Sequence, residues 1–353
     1  MAYSNFRPLA IFSSYMLLCF SLTVFIIRDL YKSYRSRSKS HTSSKPSSLH
    51  IFLFSLLAAA SLATTWYYMF QFFAYSYRDW IFAQQLSQQF FLGHEHGSLQ
   101  LGWWLKDTQL FKEAWGTVVM GARRFWWSGQ IFLFASYLGL IFEVKGARGG
   151  IPHTWAFMLL GQVVAISFAT NLFHLALLLK SITPPAQLEN HSRKNVPSSR
   201  GKILGPWLPN LLAFVGSASG LLLDEPIFQN PDWFMPLLLL PHLALMLPPL
   251  LHAVLPRSWE FADAGVPFAG RIYDLWWSSL CYGGLFKLAL MTFRGVTEVG
   301  FSGIMAALHE HPAVSSVGWD VIFCWVSWGC WTLIHRGERI ANGGNTKETS
   351  KME

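Results

Sequence analysis

Phe125-Trp-Trp-Ser-Gly-Gln-Ile-Phe-Leu-Phe-Ala-Ser-Tyr-Leu-Gly-Leu-Ile-Phe142 decides how the rest of this chain is read. The run is 18 residues long and carries no formal charge, and Glu143 closes it two positions before Lys145. A helix needs about 20 predominantly apolar residues to cross the ~30 Å hydrocarbon core of a bilayer, so the stretch is of spanning length. A carboxyl group at or near membrane depth is expensive to ionise, and such residues tend to face a bundle interior or a reactive path.

Composition agrees with a membrane protein. Of 353 residues, 52% are hydrophobic and 13% charged, against roughly 25% charged in a soluble domain. The deficit is gathered into long charge-free stretches. There are 17 Trp and 29 Phe, more than aromatic belts at the two interfaces account for, and an aromatic-lined interior explains the surplus.

Working outward from residues 125–142, hydropathy and helix breakers mark eight spans, near 9–27, 50–75, 126–144, 154–179, 207–223, 234–255, 272–293 and 317–334. Only helices satisfy their own backbone in lipid at these lengths. The predicted fold is therefore all-α, a polytopic transmembrane helix bundle in one integral-membrane domain over 1–335. A polar tail, 336–353, is expected to be disordered. The first span lacks the flanks of a cleaved signal peptide and reads as retained. Pro241, Pro248 and Pro249 are expected to kink or shorten the sixth span. Between spans two and three, residues 76–125 mix Arg78, Asp79, Lys106, Asp107, Lys112, Glu113, Arg123 and Arg124 with aromatics. Apolar residues in 99–120 recur every three or four positions, which predicts one or two amphipathic helices lying in the interface. Residues 93–97 read as a loop, and the Pro- and Ser-rich linker 181–206 as mobile.

The net charge of +8 is held mainly in loops. Arg28, Lys32, Arg35, Arg37, Lys39 and Lys45 follow directly on the first span, the position of an anchor on anionic lipid rather than of a nucleic-acid site. The bilayer is thus an expected partner and nucleic acid is not. That basic run and the second basic loop (Arg193, Lys194, Arg200, Lys202) fall on opposite faces if three spans separate them, so charge alone leaves the orientation open. Cys19, Cys281, Cys324 and Cys330 all lie in apolar segments without metal-ligand spacing and read as small buried hydrophobes.

Acids cluster at span ends. Glu143 closes the third span, Asp224 and Glu225 the fifth, Asp274 opens the seventh and Asp320 the eighth. Asp274 and Asp320 are expected in the first turn of their helices, where the macrodipole favours an acid whatever its function. Glu143 opposes the dipole, so something else stabilises or uses it. Burial favours the protonated form of a carboxylic acid, the state a general acid requires. Lys287, inside the seventh span, reads as a snorkelling stem, a counter-ion to one of these acids or a Schiff-base amine. The triplets at His94–Glu95–His96 and His309–Glu310–His311 lack the i, i+4 spacing of a helical metal site and read as loop histidines. His174 and His242, inside spans, read as packed and hydrogen-bonded. No paired-aspartate magnesium motif, phosphate loop, dinucleotide fingerprint or nucleophile elbow is present, so no metal, nucleotide or other cofactor is expected. What remains is an aromatic cavity with a few carboxylic acids. It suits proton-initiated chemistry on a hydrophobic substrate, because aromatic faces stabilise a carbocation without attacking it and a dry pocket delays quenching. The same composition suits a transporter, exporter or receptor-like protein for a hydrophobic metabolite.

The stretch Trp126-Trp127-x-x-Gln130, Phe142-Glu143, Arg148, Ile151-Pro152 and Gly161-Gln162-Val-Val-Ala-Ile-Ser-Phe-Ala-Thr-Asn171-Leu-Phe173 resembles the membrane-bound terpene cyclases of fungal meroterpenoid pathways, of the ascofuranone and macrophorin type. The resemblance implies a multi-pass protein, in the endoplasmic reticulum membrane, that cyclises a farnesyl chain borne on an aromatic polyketide. Protonation of a terminal epoxide or alkene starts the reaction, and other enzymes of the pathway share the membrane. The family likeness does not assign the acids. The residues themselves nominate Glu143 and Asp274 as proton donors, and Trp127, Gln130, Arg148, Asn171, Trp276 and Trp277 as substrate-binding.

Overall fold

Long apolar segments with few breakers become long helices. In the computed structural model, which describes residues 6–38, 47–86, 100–146, 149–180, 202–204, 231–254, 260–262 and 267–349, α1 spans Phe6–Ser38 and α2 spans Ser48–Leu86. At ~1.5 Å per residue both outrun a bilayer core. Their surplus turns carry the charges, with Arg28, Lys32 and Arg35 in α1 and Arg78 and Asp79 in α2. Two short helices follow, α3 (Leu101–Asp107) and α4 (Leu110–Val119), in the stretch expected to form one or two. Trp80 Nε1–H donates to Asp107 Oδ2 at 3.1 Å and Trp104 Nε1–H to Ser76 Oγ at 3.2 Å, which ties α3 to the end of α2.

Next come α5 (Ala122–Ile141), a π-helical turn (Phe142–Gly146), α6 (Thr154–Val163) and α7 (Ile166–Lys180). The remaining helices are α8 (Pro231–Val254), α9 (Pro267–Ala307) and α10 (Pro312–Thr349). The strands among the described residues, β1 (Lys202–Leu204) and β2 (Glu260–Ala262), pair antiparallel. Among the described residues the fold is thus all-helical apart from this one short ladder.

Three of these helices are long and apolar enough to cross a membrane: α1, α2 and α10 as far as His335. In their most apolar windows only 17%, 22% and 28% of residues are buried, so their apolar surface faces away from the protein core. The other expected spans fare differently. Residues 207–223, 93–97 and most of the linker 181–206 lie outside the described residues. The expected fourth span is two helices, α6 and α7, with Val164 and Ala165 between them. The sixth, expected to kink or shorten at its prolines, runs as one helix past Pro241, Pro248 and Pro249. The seventh lies within α9, which bends at Gly300 (φ 72°, ψ 165°), a backbone state that favours glycine. The polar tail continues the backbone of α10 to Thr349.

Helix α5 is the central post, packed against α4, α9 and α10. At its crossing with α9, a Cβ on Gly129 would lie 2.6 Å from Met291 Sδ, so the absent side chain sets how closely the helices approach. Trp126 Nε1–H donates to Thr292 Oγ1 at 2.8 Å and Trp127 Nε1–H to the Ile304 carbonyl at 2.9 Å. Toward α10, Trp325 Nε1–H donates to Gln130 Oε1 at 2.9 Å. Cys19 and Cys324 are buried free thiols, as their apolar settings predict, whereas Cys281 and Cys330 are only half-buried.

The turn from α9 into α10 is polar. Glu310 pairs with Arg123 (3.0 Å) and Arg124 (3.2 Å) at the start of α5. His311 precedes Pro312, the first helical residue, and its Nδ1 accepts the Ala313 N–H at 3.2 Å. That bond requires an unprotonated Nδ1. Burial, and then the Arg124 cation, push the His311 pKa below the usual imidazole value. A group of lowered pKa binds fewer protons in the folded state, so its contribution to stability is complete above an unfolded pKa near 6.5 and is lost as pH falls below it. We expect the detergent-unfolding midpoint to fall between pH 7 and 5 in wild type and to fall less in His311→Asn, which keeps an acceptor for Ala313. Equal slopes in the two proteins would show that His311 does not carry the effect.

Candidate functional site

The break between α6 and α7 frees backbone groups in a buried region, where unpaired ones are costly. The chain satisfies them from both sides. At the start of α7, the N–H groups of Ile166 and Ser167 donate to Asp320 Oδ2 (3.0 Å) and Oδ1 (2.8 Å). At the end of α6, the Val163 carbonyl accepts Tyr15 O–H at 2.7 Å and Cys19 S–H at 3.6 Å. Asp320 is buried and lies about two turns inside α10. Its position is therefore not explained by the dipole of its own helix, as the sequence suggested. It serves the dipole of α7, where an acid at the N-terminus is favourable. Gly161 makes the join compact, since a Cβ there would stand 3.3 Å from Ala169 Cβ.

Beside the break lies a cavity of about 150 Å³. Trp115, Phe132, Ile131 and Ala135 line it from α4 and α5, and Val164 and Ile166 from the break itself. Leu245 and His242 come from α8, and Val317 and Asp320 from α10. Gln162, Thr65 and Ser316 add polar groups. An apolar cavity of about this size holds a benzene-sized group, whereas whole-ligand pockets run to roughly 300–1,000 Å³. The space thus suits a small apolar guest or one end of a larger one. Gln162 Nε2, a buried donor, has no hydrogen-bond partner among the described residues, and leaving such a group unpaired costs about 1–3 kcal/mol.

The nominated residues are distributed as follows. The backbone of Glu143 lies in the π-turn, a form that recurs at functional sites. The turn is anchored by Phe142, whose ring centroid is 4.3 Å from that of Phe173. Along the helix axis Glu143 is about 12 Å beyond Ala135 on the cavity wall, at ~1.5 Å per residue. Asp274, Trp276 and Trp277 belong to α9, about two turns or more from its start rather than in its first turn. The side chains of Glu143, Asp274, Trp276 and Trp277 lie outside the described residues, and so does the whole of Arg148. Trp127 and Gln130 are buried in interhelical hydrogen bonds and are not among the cavity-lining residues. Asn171 donates from Nδ2 to the Ser167 carbonyl at 2.9 Å, while its buried Oδ1 has no partner among the described residues. Lys287 holds its amine 5.9 Å from the Phe125 ring centroid.

Sequence reasoning missed Gln162, His242 and Asp320 as neighbours. They come from three segments that no spacing rule links. His174 is packed and hydrogen-bonded as expected, stacked on Trp331 at 4.1 Å with Ser327 Oγ 3.2 Å from its Nδ1. Among the described residues, no three His, Cys, Asp or Glu side chains converge as a metal site.

Asp320→Asn replaces one acceptor oxygen by an NH₂ group that faces an N–H of α7. Hydrogen bonds to charged groups are worth about 1.5–3 kcal/mol, so a loss of about 2 kcal/mol is expected in a reversible detergent titration. Tyr15→Phe removes one neutral bond and should lose about 1 kcal/mol. An Asp320→Asn protein as stable as wild type would show that the cap does not hold the break. Comparison with protein-family profiles, curated proteins and solved structures gives no match to this chain.

Proposed function

We propose that this chain is a multi-pass membrane terpene cyclase of a fungal meroterpenoid pathway, acting on a farnesyl chain attached to an aromatic polyketide. The observation that carries the proposal is the aromatic and aliphatic cavity beside the helix break, with Gln162, His242 and Asp320 among its polar groups. Such a site holds an apolar end of the substrate away from bulk water, and Trp115 and Phe132 offer ring faces to a developing cation. In this proposal the chain crosses the membrane, in the endoplasmic reticulum, about eight times. The reaction needs no metal or nucleotide. Glu143, with Asp274 as the second candidate, donates a proton to a terminal epoxide or alkene. The electron pair of a more distant double bond closes the ring.

The broken helix favours a second reading, a transporter for a hydrophobic metabolite, because discontinuous helices supply binding sites in secondary transporters. In those sites the N-terminus of the half-helix is open to an anionic ligand. Here the chain's own Asp320 fills it, which favours the enzyme.

Microsomes bearing the full chain, given a farnesyl-aryl epoxide and its alkene parent, should convert at least one to cyclic isomers resolved by mass spectrometry and NMR. Inserted protein that leaves both substrates unchanged would falsify the cyclase reading, and vesicle uptake of unaltered substrate would support the transporter. Removing a general acid costs about 100- to 10,000-fold in rate. Glu143→Gln is expected to show that loss at normal expression; full activity would remove Glu143 and shift the test to Asp274→Asn.

A further inference from the structure

Histidine has two ring nitrogens with distinct roles, and in the neutral ring one donates while the other accepts. In His242 the assignment follows from geometry. Nδ1 lies 2.9 Å from the carbonyl oxygen of Leu238, one turn back on α8. A carbonyl only accepts, so Nδ1 carries the hydrogen and Nε2 keeps a bare lone pair. No described residue hydrogen-bonds to Nε2, and His242 lines the cavity.

The other polar groups in the lining are differently employed. Both oxygens of Asp320 accept backbone N–H groups of α7. Thr65 Oγ1 donates to the Ser61 carbonyl at 2.7 Å, and Ser316 Oγ to the Thr65 carbonyl at 3.0 Å. Gln162 offers an amide, which is not basic. Among the described residues, His242 is the cavity-lining side chain whose basic lone pair accepts no hydrogen bond.

We infer that His242 is the proton acceptor that ends the reaction in this cavity, an assignment that rests on the cyclase reading. The last carbocation loses hydrogen from the carbon next to the cationic centre. That C–H bond breaks, its electron pair becomes the new C=C bond, and the proton passes to Nε2 to form an imidazolium. Positive charge thereby moves from substrate to ring. The substrate has gained one proton at the start and lost one at the end, so its composition is unchanged. Between turnovers the imidazolium gives its proton to solvent and the donor carboxylate takes one back. The separation of about 12 Å along α5 between Glu143 and the cavity wall fits this division, with the acid at one end of a prenyl chain and the base at the other.

The test uses the full chain in microsomes with the farnesyl-aryl epoxide and its alkene parent. Wild type should yield a cyclic alkene. His242→Gln should consume substrate but yield at least about 100-fold less of that alkene relative to water-captured alcohols. His242→Phe, which fills the same space without a base, should show the same change of ratio. In His242→Gly, added imidazole should restore the alkene, since the space admits a ring of that size. A wild-type product ratio in the Gln and Phe variants overturns the assignment. So does a uniform loss of all products that imidazole does not relieve, because a purely structural histidine gives that result. If wild type itself converts neither substrate, the cyclase reading fails first and takes this inference with it.

Discussion

The fold around the cavity depends on one carboxyl group, that of Asp320, bound to the backbone of another helix. A helix interrupted in the buried interior exposes N–H and C=O groups away from water, and each is costly if left unpaired. Asp320 accepts two of the N–H groups, and Tyr15 and Cys19 occupy the carbonyl on the other side. With both sides satisfied, α6 and α7 need not be collinear. The gap beside the join becomes a lined cavity rather than a defect. Gln162, Val164 and Ile166 reach it because the helix stops there.

The same economy holds the rest of the bundle together. Close packing and interhelical hydrogen bonds both hold helices together. Helix α5 uses both. Gly129 admits α9, the indoles of Trp126 and Trp127 bond to Thr292 and Ile304, and Gln130 takes the indole of Trp325. This explains part of the tryptophan excess. These rings act as anchors between helices, and Trp127 and Gln130 have a structural task that their place in an aromatic stretch did not disclose.

Much of the architecture was legible because it is local. The apolar runs of α1, α2 and α10 are contiguous, and the three- to four-residue spacing in 99–120 marks α3 and α4. Charge placement also reads directly, since Arg28, Lys32 and Arg35 sit on turns beyond the apolar part of α1. The candidate site was less legible. Glu143 stood out by position, and the structure adds that its backbone forms a π-turn remote from the cavity wall along α5. Asp320 looked like an ordinary acid at a span end. Its partners are more than 150 residues away in the chain, and no spacing rule reaches that far. His242 looked like a packed histidine, and it is one; its second nitrogen acquires meaning only from what lies opposite.

By itself, then, the sequence determined that this is a helical chain with apolar segments of spanning length, because charge depletion and 3.6-residue periodicity are properties of neighbouring residues. It also set which residues are available to carry or receive a proton. Only the tertiary structure decided that the apolar run 154–179 stops and restarts at Val164 and Ala165. Nothing in Gly161-Gln-Val-Val-Ala-Ile-Ser167 breaks a helix, for it contains no proline and its one glycine precedes the gap. The break exists because a carboxylate from α10 and a phenol from α1 make it cheap, and that compensation appears only when the three segments are packed together.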